Sequence, residues 1–281
     1  MPNIIPDSCS CGQDTDTANS SANTNYTYFY GIGNISVDFP SLNIEKEFYQ
    51  VAPKGSNNPP NVKLLFDVLS KAENKYLAKE MCWKFQQGSG LATFILTPNS
   101  DLELASLISG IEPLFDIDYD VVIGLKGPLS SPQMCNGVIL PVITCNKVMT
   151  YTLKNIISNI SKELGVDKAT ATDLFKLMLP LLDNPGDTDG YRALNYVTLN
   201  YMQIYKRTME LVSPVDPQKN PPYNFVEVRT VPANIQGERK LIDVIYTYNR
   251  LGEQIRLACR VDITGLYPFL VSPIFPYYTN P

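Results

Sequence analysis

Histidine is absent from this chain of 281 residues. That absence excludes Ser-His-Asp and Cys-His nucleophile pairs and any metal site that relies on imidazole ligands. A reaction here would have to run on carboxylates, lysine, tyrosine or cysteine. No run of about 18 apolar residues occurs, so no membrane-spanning helix is expected. The N-terminus lacks the basic-then-apolar pattern of a signal peptide. Positive charge is scarce as well: 23 Lys+Arg against 28 Asp+Glu leave −5, with no basic stripe to displace counterions from nucleic acid. The expectation is a cytoplasmic chain with neither nucleic acid nor membrane as a partner. Its six cysteines are then read as mostly reduced thiols.

Proline (22) and tyrosine (17) are abundant, a composition that suits irregular, aromatic-rich loops and the grooves between them. Residues 1–25 are polar and of low complexity, and read as a flexible leader. The leader contains Cys9-Ser10-Cys11, but the remaining cysteines, Cys82, Cys135, Cys145 and Cys259, stand singly. Structural zinc sites show paired knuckles, so no metal is assigned. Gly31-Ile32-Gly33 lacks the third glycine and the following helix start of a nucleotide loop, so no cofactor is assigned either. Asp116, Asp118 and Asp120 alternate like a solvated strand edge. They miss the glycine and the final glutamate of a calcium loop.

Aromatic and β-branched runs predict strands over 26–33, 90–97, 120–125 and 138–143. The last of these is expected to turn at Cys145-Asn146 into a hairpin with 148–151, and Pro141 to mark it as a sheet edge. Apolar spacing predicts a helix with Leu64, Leu65, Val68 and Leu69 on one face after the turn-rich loop 53–60, and another over 102–108. Further on, Leu153, Ile156, Ile157, Ile160 and Leu164 form one stripe, stopped by Gly165. Asp167 is placed to cap a second helix whose stripe is Leu174, Leu177, Met178 and Leu181, ended or kinked at Pro180. A Pro-rich connector over 213–222 leads to strands over 223–231 and 241–248. A third strand follows, in which Ile255, Leu257, Cys259, Val261 and Ile263 alternate with Arg256, Ala258, Arg260 and Asp262. The fold class expected is α+β: mixed or antiparallel sheet regions, a central helical segment and a C-terminal antiparallel β-meander. The domains expected are 26–152 and 153–281 after the leader.

One stretch carries an unusual polar load. Residues 190–201 read as the start of a helix running to about 209, with Leu194, Val197, Tyr201, Ile204 and Tyr205 on one face. Arg192, Asn195 and Asn200 also lie in it, although asparagine competes for backbone hydrogen bonds and is a poor helix former. These residues tie the helical layer to neighbouring backbone or contact a ligand. Arg256 and Arg260 on the polar face of the last strand stand between solvent and ligand in the same way.

Arg192-Ala193-Leu194-Asn195-Tyr196, with Asn200 after it, resembles the R-A-L-N-[YF]-x-x-x-N signature of the C-terminal, non-protease region of cyanobactin maturation proteases of the PatA/PatG type. The order of features agrees: Tyr30-Gly31-Ile32-Gly33, then Cys82-Trp83-Lys84-Phe85, then 138–142, the helices and a β end with Arg260-Val261-Asp262-Ile263. The family's subtilisin-like catalytic residues have no counterpart to map onto here. Nor does the segment 221–239 carry the cysteines associated with that region. The resemblance implies a stand-alone, non-catalytic accessory protein of ribosomal peptide natural-product biosynthesis. Its expected partners are a ribosomal precursor peptide and peptide-modifying enzymes, with a homodimer kept as a candidate assembly. A peptide adding to a sheet edge would use Arg192, Asn195, Asn200, Arg256 and Arg260 as candidate contacts. The alternative is an enzyme of the same pathway using Cys82, Cys135 or the aspartate group.

Overall fold

The computed structural model describes residues 27–278 except 89, 115 and 234–236. The Cys9-Ser10-Cys11 motif and the leader lie outside the described residues. The N-terminal half is a closed barrel built on β1 (Thr27–Asp38), which serves two neighbours in turn. Its first part pairs with β4 (Asp118–Leu129), and its second part with β2 (Cys82–Gln86). Gly33 allows the crossing, because a Cβ there would lie 2.2 Å from the Gln86 carbonyl oxygen. β2 pairs with β3 (Ala92–Pro98), β3 lies parallel to β5 (Pro141–Thr152), and β5 closes onto β4. The order β1-β2-β3-β5-β4, with a helix between β3 and β4, is the five-stranded Greek-key barrel of the OB type. Phe29, Phe85 and Phe94 fill it edge-to-face, with ring centroids 5.7 and 4.9 Å apart.

Helices α1 (Leu42–Val51), α2 (Val62–Leu69), α3 (Lys75–Glu80) and α4 (Asp101–Ser109) stop one end of the barrel. The side chains of Ser41, Asn61 and Ser100 accept backbone N–H groups at three of their starts. Trp83 is buried under them and donates to the Ala78 carbonyl oxygen at 3.0 Å.

Two strand expectations change. β5 is continuous, and Asn146 sits at a bulge between the pairs Gly124–Cys145 and Ile123–Lys147 rather than in a hairpin turn. Pro141 begins a strand flanked on both sides, where a first residue owes the ladder no donor. The aspartate group also differs from a solvated edge. Asp120 is fully buried at the point where β1 leaves β4, and there its carboxylate replaces the missing ladder acceptor. It accepts the Ile35 N–H at 2.8 Å and the Thr150 hydroxyl at 2.6 Å. Asp116 instead accepts the Lys154 N–H at 2.9 Å, at the start of the following helix.

The second half places four helices between the barrel wall and an antiparallel sheet. α5 (Leu153–Leu164) ends at Gly165 (φ 68°), and Asp167 caps α6 (Lys168–Met178) by accepting from Ala169 and Thr170. Pro180 sits in a 3-10 turn, Leu179–Leu182. The helix expected over 190–209 is two helices, α7 (Asp189–Asn200) and α8 (Gln203–Val212). The Asn200 amide donates to the Tyr196 carbonyl at 2.9 Å and to the Tyr30 hydroxyl at 3.1 Å, just where α7 stops. Strands β6 (Asn224–Pro232), β7 (Leu241–Arg250), β8 (Glu253–Asp262) and β9 (Phe269–Pro276) follow in sequential order. Tyr30, Ile32, Val121 and Ile123 of the barrel share one apolar cluster with these helices and with the inner face of the sheet. The chain is α+β, with a mixed sheet and a C-terminal antiparallel meander.

Burial raises the Asp120 carboxyl to about 7, with a smaller upward push from Asp118, while its two hydrogen-bond donors act downward. Folding therefore takes up a proton between about pH 4 and pH 7, and this group's contribution to stability falls as pH rises through that window. Asp120→Asn keeps the shape and removes the titration. Urea unfolding at pH 5 and pH 7.5 should show a difference smaller in the variant than in the parent, by up to about 1 kcal/mol per pH unit.

Candidate functional site

α7 is where the predicted polar residues can be inspected directly. Arg192 is 1 % exposed. Its guanidinium donates to Ile263 O at 3.0 Å, to Leu266 O at 3.3 Å and to Gly265 O, and it lies 4.9 Å over the Tyr28 ring. Burial lowers its pKa, and the nearby Asp189 opposes that shift. Asn195 is fully buried and donates to Tyr30 O at 2.8 Å. It also exchanges hydrogen bonds with the Asn184 amide, at 2.7 and 3.1 Å. Asn184 in turn accepts the Gly186 N–H at 3.0 Å, and Gly186 O accepts the Tyr30 N–H at 2.9 Å. Gly186 is required at this crossing: its φ is 70°, and a Cβ would lie 2.4 Å from Tyr30 O.

Arg256 and Arg260 lie on β8, on the sheet face turned away from the helices. Arg260 holds Asp243 through two bonds of 2.7 and 2.9 Å and lies 5.7 Å from the Phe275 ring centroid. The Asp243 carboxylate raises its pKa further. Arg256 is half-buried on the same face and is also engaged. The five predicted contacts thus fall in two separate places, and most of their donors are spent on the fold.

The thiols have moved out of reach too. Cys82 and Cys135 form a disulfide, with Cα atoms 5.2 Å apart, so the expectation of reduced cysteines fails for this pair. The distance is that of an unstrained bridge span, which spacing along the sequence did not reveal. Burial pushes the Cys145 and Cys259 thiols up to about 12. Among the described residues no group of three or more His, Cys, Asp or Glu is placed to hold a metal.

Sheet edges separate the remaining surfaces. The barrel is closed and has none. At β9, the Leu270 and Ile274 N–H groups are donated to the hydroxyls of Tyr196 and Tyr201 at 3.3 and 3.2 Å, and Pro273 and Pro276 carry no N–H. Among the described residues β6 pairs only with β7. It is bulged at Val226 and ends at Pro232, two common guards of an edge, and between them the stretch 227–231 is regular. Beside the start of β6 opens a cleft of about 620 Å³ between α6 and α8. Its walls include Leu177, Met209, Val212 and Phe225, with Thr170 and Asp173 at the rim. The Arg250 guanidinium props that rim by stacking 4.1 Å over Tyr223 and donating to Pro221 O at 2.9 Å. Leu177 was legible only as part of a helical stripe and Met209 only as the approximate end of a helix; the Pro-rich connector was the one sequence signal that a rim lay here.

A family model described as PatG Domain matches residues 28–222. A solved structure described as "PatG Domain of Unknown Function" superposes with a TM-score of 0.68 at 14 % identity, covering 89 % of this chain and 98 % of that one. At that identity the likeness is one of fold. No curated protein matches the chain.

The α7 geometry sets a stability contrast. Asn195→Ala strands the Tyr30 carbonyl and the Asn184 amide in the interior and should cost about 3 kcal/mol, read as a lower urea midpoint. Asn200→Ala, at an exposed helix end, should cost about 1 kcal/mol or less.

Proposed function

The chain belongs to the PatG domain family, which is associated with cyanobactin biosynthesis, and from that membership we infer that it holds a precursor or intermediate peptide and presents it to modifying enzymes without catalysing a step itself. The carrying observation is the pairing of a sheet edge with a cleft: Asn224 and Phe225 at the start of β6 line the 620 Å³ space between α6 and α8, and the regular stretch 227–231 follows beyond the bulge at Val226. An extended peptide would add to β6 through main-chain hydrogen bonds and drop alternate side chains toward the helices. The cleft's apolar walls favour a large aliphatic or aromatic residue there, and Asp173 at the rim with a net charge of −5 favours basic residues beside it. Arg192, Asn195 and Asn200 then position the sheet instead of touching the peptide. The reading includes a cytoplasmic setting; the structural fact beside it is that no described helix is long and apolar enough to cross a membrane.

Calorimetry with a synthetic precursor peptide encoded beside this chain tests the reading. Binding should weaken about tenfold in a Met209→Trp variant, whose side chain plugs the cleft; a tenfold loss corresponds to about 1.4 kcal/mol. N-methylation of alternate backbone nitrogens in the peptide should weaken it at least as much, since each methyl removes a ladder donor. No binding to the parent protein, or binding indifferent to both changes, would sink the proposal.

A further inference from the structure

Between β4 and β5 the segment 130–140 folds into a small cap whose bonds close on itself. Met134 N donates to Ser131 O, Gly137 N to Pro132 O and Val138 N to Cys135 O, while Ser130 N meets Leu140 O at 2.9 Å across its mouth. The Ser130 hydroxyl adds bonds to Val138 O and from Leu140 N, again within the cap. Over 131–139 the single buried side chain is Cys135; Met134, Val138 and Ile139 are exposed. The cap's anchor is therefore covalent, to Cys82 at the start of β2, 53 residues away in sequence. Beneath it lies a cluster separate from the barrel core: Ile95 on the outer face of β3, with Leu140 and Val142 packed against it. Gln133 and Met134 of the cap also form one wall of a second cleft, about 540 Å³, completed by α1, α3 and β3.

We propose that the Cys82–Cys135 disulfide is a redox-operated latch, whose reduction by a dithiol frees the 130–140 cap and opens the β2–β3 face beneath it. In the step, one thiolate of the dithiol attacks a cystine sulfur and the Sγ–Sγ bond breaks to a mixed disulfide. The second thiol then displaces the protein sulfur. Two electrons and two protons end on Cys82 and Cys135 as thiols, and the dithiol leaves as its own disulfide. Both cysteines are buried, so attack requires the cap to lift transiently, which a segment whose 131–139 stretch buries one side chain does at low cost. The barrel stays closed in the reduced protein, because Trp83, Phe85 and Phe94 pack in a different cluster from the cystine. Sheet closure of β2 on β3 does not involve the bridge. This latch is independent of the β6 edge, which belongs to the other sheet.

The test is hydrogen–deuterium exchange of the full chain, purified without reductant and again after dithiothreitol, with alkylation and intact mass counting the free thiols. The expected result is a bridge present before treatment and two additional thiols after it. Amides over 130–140 should then exchange at least about tenfold faster, against less than about twofold change in β1 and β7. A Cys82→Ser/Cys135→Ser double variant should reproduce the fast cap without reductant, and both forms should bind more of the apolar dye ANS than the oxidised parent. Three results overturn the proposal: an air-exposed protein with both thiols free, a cap that exchanges no faster once fully reduced, or unfolding of the whole barrel on reduction.

Discussion

The Asn195 carboxamide, held between the Tyr30 carbonyl and the Asn184 amide, decides where the helical layer sits on the barrel. Each of these bonds is worth about 1 kcal/mol net when made, and about 1–3 kcal/mol when one partner is left stranded in the interior. The bulk of the stabilisation comes instead from the apolar cluster that runs from Ile32 and Val121 through α5–α8 to the inner face of the sheet. The polar seam supplies position. Apolar surfaces slide past one another at little cost, but a slide here would orphan buried polar atoms at both ends. Arg192, one turn before Asn195, repeats the device toward the sheet by donating to the carbonyls of 263–266, where β8 has ended and has no ladder to satisfy them. A single helix thus registers the barrel on one side and the meander on the other.

That registration has a consequence for the sheet edges. With α7 fixed, Tyr196 and Tyr201 reach the N–H groups of β9, and that edge is occupied by the protein's own hydroxyls. Among the described residues the β6 edge shows no such hydroxyl cover along 227–231; it is guarded by a bulge, a terminal proline and the charges of Glu227 and Arg229. Guards of this kind discourage indiscriminate strand pairing while leaving a short register open. Under the proposed reading that register would take one extended ligand, and the cleft lined by Asn224 and Phe225 would add a preference among side chains.

Parts of this arrangement were legible in the residues and parts were not, for physical reasons. Gly165, Asp167 and Pro180 act where local chemistry says they must, because caps and breakers depend on a few neighbouring backbone groups. The alternation around Cys259 likewise predicted which face of β8 is apolar and buried, and that is the face that meets the helices. The failures all involve partners distant in sequence. Cys145-Asn146 resembles a turn, yet a bulge absorbs it because β4 runs alongside both halves of β5. Asp120 looked solvated, yet it replaces a backbone acceptor for Ile35, 85 residues away. The disulfide joins residues on β2 and on the loop after β4, which only the closed barrel brings together.

Arg192 and Asn195 therefore belong to the scaffold: both are buried and hydrogen-bonded to distant backbone, and removing either strands its partners. The family match spans 28–222 and stops at the threshold of β6, while the structural likeness, at 89 % of the chain, reaches further. Under the proposed reading a peptide would pair with β6 through main-chain groups, and that pairing would survive any substitution that keeps the strand extended. The polar seam of α7 has no such latitude, because each of its side chains satisfies a particular buried backbone or amide group.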